Sequence, residues 1–215
     1  MQTISIGECI TFGWETFKKR PWILIGAFLL VAVISAIPGI LGPHPEIDPD
    51  GQIIPQPPTT WGLITTLASI VVSFFVGLGL TNFALRAHDD IASVQISDLW
   101  NPAPFWRFVG AEILAGLIIA AGFVLLVVPG IIASVGLGFV PFLIVDRPVG
   151  PIDALKESWR ITKGHKWQLF LLGLVLVALN FVGVLLLVVG VFVTIPISLL
   201  AFVHAYRTLA GRAGA

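Results

Sequence analysis

Charged residues are scarce in this chain: only 11% of its 215 residues are Asp, Glu, Lys or Arg, whereas soluble domains carry roughly 25%. Hydrophobic residues make up 57% of the chain, and its mean hydropathy is +0.99. This composition predicts an integral membrane protein and not a soluble one. Because the formal net charge is zero, no nucleic-acid partner is indicated.

The chain also lacks the residues of common catalytic and metal sites. Its single cysteine, Cys9, excludes an intramolecular disulfide and a site with several thiolates, and we interpret it as a small apolar residue. The patterns HExxH, GxSxG, GxxxxGK[ST] and GxGxxG do not occur. The sequence therefore predicts a protein that is not an enzyme and that has no cofactor and no metal site.

Two acidic stretches leave a cation site open as the weaker alternative. The triplet His88-Asp89-Asp90 is interpreted as a solvated turn. The segment 43–60 is rich in proline and free of Lys and Arg, and it is interpreted as an extended spacer. Its possible ligands are His44, Glu46, Asp48 and Asp50.

Long apolar runs dominate what is present, and a membrane-spanning helix needs roughly 20 such residues. The runs cover residues 22–42, 61–85, 107–128, 131–145, 167–189 and 191–206, of which 131–145 is the shortest. Turns are predicted at Pro129-Gly130 and at Gly190. We expect an all-α integral membrane protein of one domain, 1–215, with about six transmembrane helices in three hairpins. These hairpins cover 21–86, with an outer loop at 43–60, then 107–145 and 167–207.

The positive charges are distributed on one side of this topology. With six passes, all twelve Lys and Arg residues fall on the side of the termini, and six of the seven Trp residues lie at the same interface. Because positive residues resist translocation, both termini are predicted to be cytoplasmic, in the cytoplasmic membrane. A cleaved signal peptide is the disfavoured alternative for the N-terminal run, since the residues before it have a helical pattern of their own.

Amphipathic helices are predicted at 3–19 and 150–164, before the first and fifth passes. In the second helix Ile152, Leu155, Trp159 and Thr162 recur at helical spacing, and Gly164 is expected to end the helix. We expect both helices to lie on the cytoplasmic face and their cations to contact anionic headgroups. The alternative is that the charges only orient the chain. The predicted lipid-contacting residues are Lys18, Lys19, Arg20, Lys156, Trp159, Arg160, Lys163 and Trp167.

The unit of basic helix and hairpin recurs along the chain. "GWETFKKRPWILIGAFLLVAV" and "SWRITKGHKWQLFLLGLVLVAL" share two Trp residues eight positions apart, a basic stretch between them and an apolar run afterwards. Ser97 and Trp106 match Ser158 and Trp167 at one offset. We interpret the chain as three related units, of which the middle one is the most divergent.

Polar residues inside predicted passes are expensive and therefore carry hypotheses of their own. Glu112 is predicted to reach water or a basic partner, with ion coupling as the alternative, and a polar cluster is expected at its depth. That cluster contains Glu112, Asn82, Arg86, His204 and Arg207. Asn180 and Ser198 share a depth that permits an interhelical hydrogen bond.

Small residues recur at every fourth position of the second pass, at Thr65, Ser69, Ser73, Gly77 and Thr81. This spacing favours a packing seam between passes or protomers over a hydroxyl-lined path.

The stretch "VPGIIASVGLGFVPFLIVDRPVGPIDALKESWRITKGHKWQLF" resembles a prokaryotic membrane-protein family. That family includes the YciC-like proteins and is similar to the membrane domain fused to some glycerophosphoryl diester phosphodiesterases. The matching elements are Pro129-Gly130-Ile131, Pro141, Asp146, Ala154-Leu155, Ser158, Lys163-Gly164, Trp167, Pro196 and Tyr206. The resemblance implies a multi-helix membrane domain, and it brings no established catalytic residues.

Together these observations predict a non-enzymatic polytopic membrane protein that interacts with lipids, chiefly anionic ones, or assists another membrane protein. A small transporter or channel, which could be a homo-oligomer, is the alternative, with the small-residue stripe and Glu112 along its path. A membrane-embedded lipid enzyme is the third hypothesis.

Overall fold

The structure is a computed structural model that describes residues 5–43, 46–47, 53–54, 59–186 and 190–213. In these residues the chain is all-helical apart from one two-residue β-ladder. The helices are α1 (Ile6–Lys19), α2 (Pro21–Leu41), α3 (Thr60–Asp89), α4 (Phe105–Leu125), α5 (Val127–Leu137), α6 (Val140–Asp146), α7 (Pro151–Thr162), α8 (Lys166–Leu185) and α9 (Val191–Ala213). A short 3-10 helix, Ile96–Leu99, lies between α3 and α4.

Among the described residues, six helical segments are long and apolar enough to cross a membrane. They are α2, α3, α4, the consecutive pair α5 and α6 (Val127–Asp146), α8, and Val191–Gly211 of α9. The short run 131–145 therefore belongs to a 20-residue segment that begins four residues earlier. The architecture is that of a multi-pass membrane protein, as the composition predicts.

The helices pair as three hairpins, with α2 against α3, α4 against α5, and α8 against α9. Glycine permits close approach at two of the tips. A Cβ atom added to Gly122 would lie 3.0 Å from the Cα atom of Gly130, and one added to Gly190 would lie 2.5 Å from the carbonyl oxygen of Gly183. Because these approaches involve backbone atoms, a side chain at either position would push the helices apart.

The predicted turn at Pro129-Gly130 is wrong by a few residues. The chain leaves the helical conformation at Leu126 (φ −167°, ψ 157°), and Pro129 lies in the first turn of α5. Proline is tolerated there because the first-turn N–H groups of a helix have no partner within the helix. Gly190 does lie at the predicted break, immediately before α9.

The loop 43–60, which is predicted to lie on the outer side, contains a short antiparallel ladder in which Glu46 pairs with Ile54 and Ile47 with Ile53. His44, Asp48 and Asp50, three of its four possible cation ligands, lie outside the described residues.

The main hydrophobic core lies at one end of the bundle. At this end Arg207 of α9 contacts both Asp89 of α3 and Asp146 of α6, so that the three helices are joined. We call this the charged end. The C-terminal half of α3 is largely buried and about half of the residues of α9 are buried, whereas α2, α4 and α8 expose many large apolar side chains along their length. Exposed apolar helices around a polar-ended core are suited to a lipid environment.

Helices α1 and α7 pack into the core instead of lying free on a surface. Helix α1 packs along α9, and a Cβ atom at Gly13 would lie 2.6 Å from the carbonyl oxygen of Ile197. The expected apolar face of α7 is only half right, since Leu155 and Thr162 are buried while Ile152 and Trp159 are exposed. The buried face is Ala154, Leu155, Ser158, Ile161 and Thr162.

The segment before α4 differs from α1 and α7, the helices that precede the other two hairpins. Where the repeat predicts a helix before α4, the chain forms the 3-10 helix Ile96–Leu99. It packs against α3 so closely that a Cβ atom at Gly79 would overlap the carbonyl oxygen of Leu99. The middle unit therefore has a short packed turn in place of an amphipathic helix.

Candidate functional site

The exposed basic residues of α7 and the turn after it form a surface beside the charged end. Lys156, Arg160 and Lys163 are all exposed, and Gly164 adopts a positive φ of 87° that turns the chain into α8. Helix α7 thus ends two residues before the predicted glycine. Arg160 donates two hydrogen bonds to Glu157, at 2.9 and 2.7 Å, and this pairing raises the pKa of Arg160. Its side chain still remains mostly exposed. We call Lys156, Arg160 and Lys163 the α7 basic surface.

The three N-terminal cations differ in exposure and in their hydrogen-bond partners. Lys18 and Lys19 are exposed at the end of α1, and Lys18 pairs with Glu15 at 2.7 Å. Arg20 differs from its predicted role, because its Nη1 donates to the carbonyl oxygens of Ile91, Ala92 and Val94. It ties the junction of α1 and α2 to the loop after α3.

Tryptophan side chains surround the bundle near the same end. Trp22, Trp106 and Trp167 open α2, α4 and α8 and are 83%, 81% and 69% exposed. Trp100 precedes α4 and is also exposed. Such a ring of amphipathic side chains is typical of a membrane–water interface.

A network of ionic and hydrogen bonds joins α3, α6 and α9 at the charged end. Arg207 Nη1 lies 2.6 Å from Asp146 Oδ1, and its Nη2 contacts Asp89. Tyr206 donates from its hydroxyl to Asp146 Oδ2 at 2.8 Å. Arg147 extends the network toward α7 through Glu157, at 3.8 Å.

Two histidines adjoin this network. His88 Nε2 lies 3.1 Å from His204 Nδ1. The ring of Phe12 from α1 is tilted against His88 and stacked on His204, with centroids 4.6 and 4.3 Å away. The solvated-turn interpretation of His88-Asp89-Asp90 therefore holds only for Asp90, whose carboxylate accepts from the N–H of Ala92. His88 is packed between α1 and α9.

The expected polar cluster divides into three separate groups. His204 and Arg207 belong to the network just described. Asn82 donates to the carbonyl oxygen of Asp98 and accepts from Asn101, while Arg86 pairs with the Asp98 carboxylate at 2.9 Å. Glu112 lies apart from both groups.

Glu112 faces a cavity of about 430 Å³ between α3 and α4. The opposite wall carries the central part of the small-residue stripe, Ser69, Ser73 and Gly77. Both serine hydroxyls donate to carbonyl oxygens one turn earlier in α3, so they are already paired.

The stripe is not a single seam within this chain. Its ends, Thr65 and Thr81, are buried, but Ser73 is exposed. Gly77 is in ordinary contact distance of Phe108, since an added Cβ atom would lie 3.6 Å from its ring. The central positions thus line the cavity beside Glu112 without a helix packed over them.

Two further polar contacts tie neighbouring helices together. Asn180 Nδ2 donates to Ser198 Oγ at 2.8 Å, between α8 and α9. Ser158 donates to the carbonyl oxygen of Gly136 at 2.8 Å, whereas the hydroxyl of Thr162 lies closest to the carbonyl oxygen of Ser158 in its own helix, at 2.9 Å. The Ser158 hydroxyl thus satisfies a carbonyl group at the end of α5, where the helical ladder is interrupted before α6.

Metal and thiol chemistry have little support in the described part of the chain. No three His, Cys, Asp or Glu residues in it are grouped so that they could hold a metal ion. Burial, with a smaller effect of Glu8, raises the pKa of Cys9 to about 11, so the thiol stays protonated near neutral pH.

The sequence reasoning missed Asp146, His88, Asp89 and Asp98 as partners in these networks. For Asp146 and Tyr206 the sequence offered an indication of importance, since both are among the positions that carry the family resemblance. For Asp89 and Asp98 the sequence offered no such indication, because helix packing brings their partners to them.

The sequence profile of one family, described as "Protein of unknown function (DUF975)", matches residues 2–213. The chain is 28% identical to "Uncharacterized protein Rv2560" of Mycobacterium tuberculosis strain H37Rv and to "Uncharacterized protein Mb2590" of Mycobacterium bovis. Each match covers 96% of this chain and 69% of the relative. No solved structure matches the chain.

Proposed function

The chain belongs to the DUF975 family of proteins of unknown function, and we propose that it is a lipid-interacting protein of a prokaryotic cytoplasmic membrane, without catalytic activity. In this proposal both termini are cytoplasmic and the charged end faces the cytoplasm. The one-sided distribution of Lys and Arg and the exposed Trp residues near the charged end support that orientation. The mycobacterial relatives support the prokaryotic assignment.

The exposed α7 basic surface is the observation that carries the proposal. Lys156, Arg160 and Lys163 extend from a helix whose opposite face is packed into the core, so their positions are held without any ligand. Each cation near an anionic membrane surface contributes about 1 kcal/mol of attraction. Trp159 and Trp167 lie beside them, one partly and one mostly exposed.

A non-enzymatic role is supported by the way in which the polar groups are used. Asp146 of α6 binds both Tyr206 and Arg207 of α9, and Arg207 also contacts Asp89 of α3, which is the arrangement of a structural network. We also propose that the chain is related to the YciC-like proteins and to the membrane domain linked to phosphodiesterases. A second part of the proposal is that another membrane protein, or a second copy of this chain, packs on the exposed helices.

Charge reversal of the α7 basic surface tests the proposal. We expect the triple variant Lys156→Glu, Arg160→Glu and Lys163→Glu to lose at least tenfold in preference for phosphatidylglycerol over phosphatidylcholine, measured by native mass spectrometry. The control is orientation: a cysteine at position 157, in a Cys9→Ser background, should react only from the cytoplasmic side in parent and variant. Correctly oriented variant protein with the parent's lipid preference would reject the proposal.

A small transporter or channel is the second candidate, because Glu112 and the small-residue stripe line one cavity. In liposomes a conducting path would give a cation flux that Glu112→Gln reduces strongly and that Ser198→Ala, outside the cavity, leaves intact. Absence of flux in the parent would reject this candidate.

A further inference from the structure

A groove of about 330 Å³ lies between α5 and α8, beside the charged end. Its α5 wall is one helical face with apolar side chains at Val128, Ile131, Ile132 and Val135. The facing wall belongs to the first turns of α8, with Trp167, Phe170 and the side chain of Lys166. The groove is thus apolar along its length and carries one cation.

The position of that cation is fixed by its neighbours. Lys166 Nζ lies 3.0 Å from the centroid of the Trp159 ring, a cation–π contact. The Trp159 ring in turn packs directly on the backbone of Gly136, where an added Cβ atom would lie 2.5 Å from it. The bond from Ser158 to the Gly136 carbonyl oxygen holds α7 in this place.

Lys166 forms no ion pair with an acid among the described residues, in contrast to Arg147, Arg160 and Arg207. A half-buried ammonium group at the end of an apolar groove attracts an anion. The groove walls attract an apolar chain instead. An occupant that matches both has an anionic head and a hydrocarbon tail.

We propose that the groove between α5 and α8 binds one anionic phospholipid, with the phosphate at Lys166 and an acyl chain along Val128–Val135. The inference rests on the proposed lipid-interacting function but goes further, because it names one ordered site distinct from the α7 basic surface. Trp167 covers the headgroup level of the groove. Gly136 acts at a distance, by keeping Trp159 and Lys166 in place.

Photolabelling of full-length protein in nanodiscs tests the site. The probe is a phosphatidylglycerol with a photoactivatable acyl chain, present as a minor component in phosphatidylcholine, and labelled peptides are identified by mass spectrometry. We expect labels on the α5 and α8 walls of the groove. Lys166→Gln should lower them about fivefold, the factor that one surface charge supplies.

Matched variants distinguish an effect at the groove from a general effect of removing a positive charge or of adding a bulky side chain. Arg86→Gln removes an exposed cation that lies outside both the groove and the α7 basic surface, and it should leave groove labelling unchanged. Ile132→Trp fills the groove and should abolish the label, whereas Val124→Trp, on the exposed face of α4, should not. Equal effects of Lys166→Gln and Arg86→Gln, or equal labelling by a phosphatidylcholine probe, would overturn the inference.

The outcomes also distinguish this inference from the function on which it rests. If the triple α7 variant loses its lipid preference while groove labelling is absent in the parent, the lipid-interacting function stands and the groove site falls. If the groove is labelled and the triple variant keeps the parent's lipid preference, the ordered site stands and the α7 proposal falls. Cross-links between two protein chains at position 132 would assign the groove to a second copy and overturn the lipid site.

Discussion

Ser158 Oγ donates a hydrogen bond of 2.8 Å to the carbonyl oxygen of Gly136, although 22 residues separate the two in the chain. The bond joins helix α7 to the point at which the fourth membrane segment is interrupted. Ser158 is fully buried, so the bond is shielded from water. Helix α7 is therefore a fixed part of the bundle.

Ser158→Ala removes the hydroxyl donor to that buried carbonyl. We expect a loss of about 1–2 kcal/mol in the free energy of unfolding, since the hydroxyl of Thr162 lies closer to a carbonyl oxygen of its own helix. Ser134→Ala is the control, because Ser134 bonds only to a carbonyl one turn earlier in its own helix. The melting temperature in detergent measures both, and equal small shifts would show that the bond from α7 contributes little.

Neutralising Arg207 should destabilise the charged end. Arg207→Gln leaves the Asp146 carboxylate, 17% exposed, without its shortest cationic contact. The expected loss is about 2 kcal/mol, below that of a fully buried pair because the groups are partly solvated.

Arg86→Gln is the matched control for that variant, since it breaks a pair whose arginine is 63% exposed. Its expected cost is less than about 1 kcal/mol. Thermal unfolding of the two variants side by side would contradict the ranking if Arg86→Gln were the more damaging.

Gly79 and Gly77 lie one half-turn apart in α3 but should respond differently to alanine. A Cβ atom at Gly79 would overlap the carbonyl oxygen of Leu99, whereas one at Gly77 would be 3.6 Å from Phe108. Gly79→Ala should cost about 1–3 kcal/mol through displacement of the 3-10 helix, and Gly77→Ala should be nearly neutral. The melting temperatures test this, and a large loss in Gly77→Ala alone would point to a partner packed on the stripe.

Cys9 reports on the packing of α1 against α9. Because its folded-state pKa is about 11, against 9.0 without burial, maleimide labelling of the native protein at pH 8 should be much slower than that of unfolded protein. The folded state holds the proton more tightly, so this contribution to stability is complete below pH 9 and is lost as the pH rises through 11. Rapid labelling of the native protein would show that α1 separates from the bundle.

Composition and apolar run length were sufficient to predict the six segments and their pairing, because a membrane-spanning helix must be both long and apolar. They were not sufficient for helix boundaries. The break at Leu126, three residues before Pro129, follows from backbone contact between Gly122 and Gly130, which no local pattern encodes.

The partners of individual side chains could not be predicted from the sequence either, because no local pattern encodes how the helices pack. Helical spacing places Leu155 and Trp159 on one face of α7, yet only Leu155 is buried, since the direction in which α7 packs is set by Gly136 and its neighbours on α5. Depth counting placed Glu112 with Arg207, but depth along a helix says nothing about which way the side chain points around the bundle. The sequence by itself determined an all-helical membrane protein and the scarcity and one-sidedness of its charges. Only the tertiary structure decided that Arg207 contacts Asp89 and Asp146, that Glu112 faces a cavity, and that Lys166 stands at the end of a groove, because these contacts join segments that are far apart in the chain.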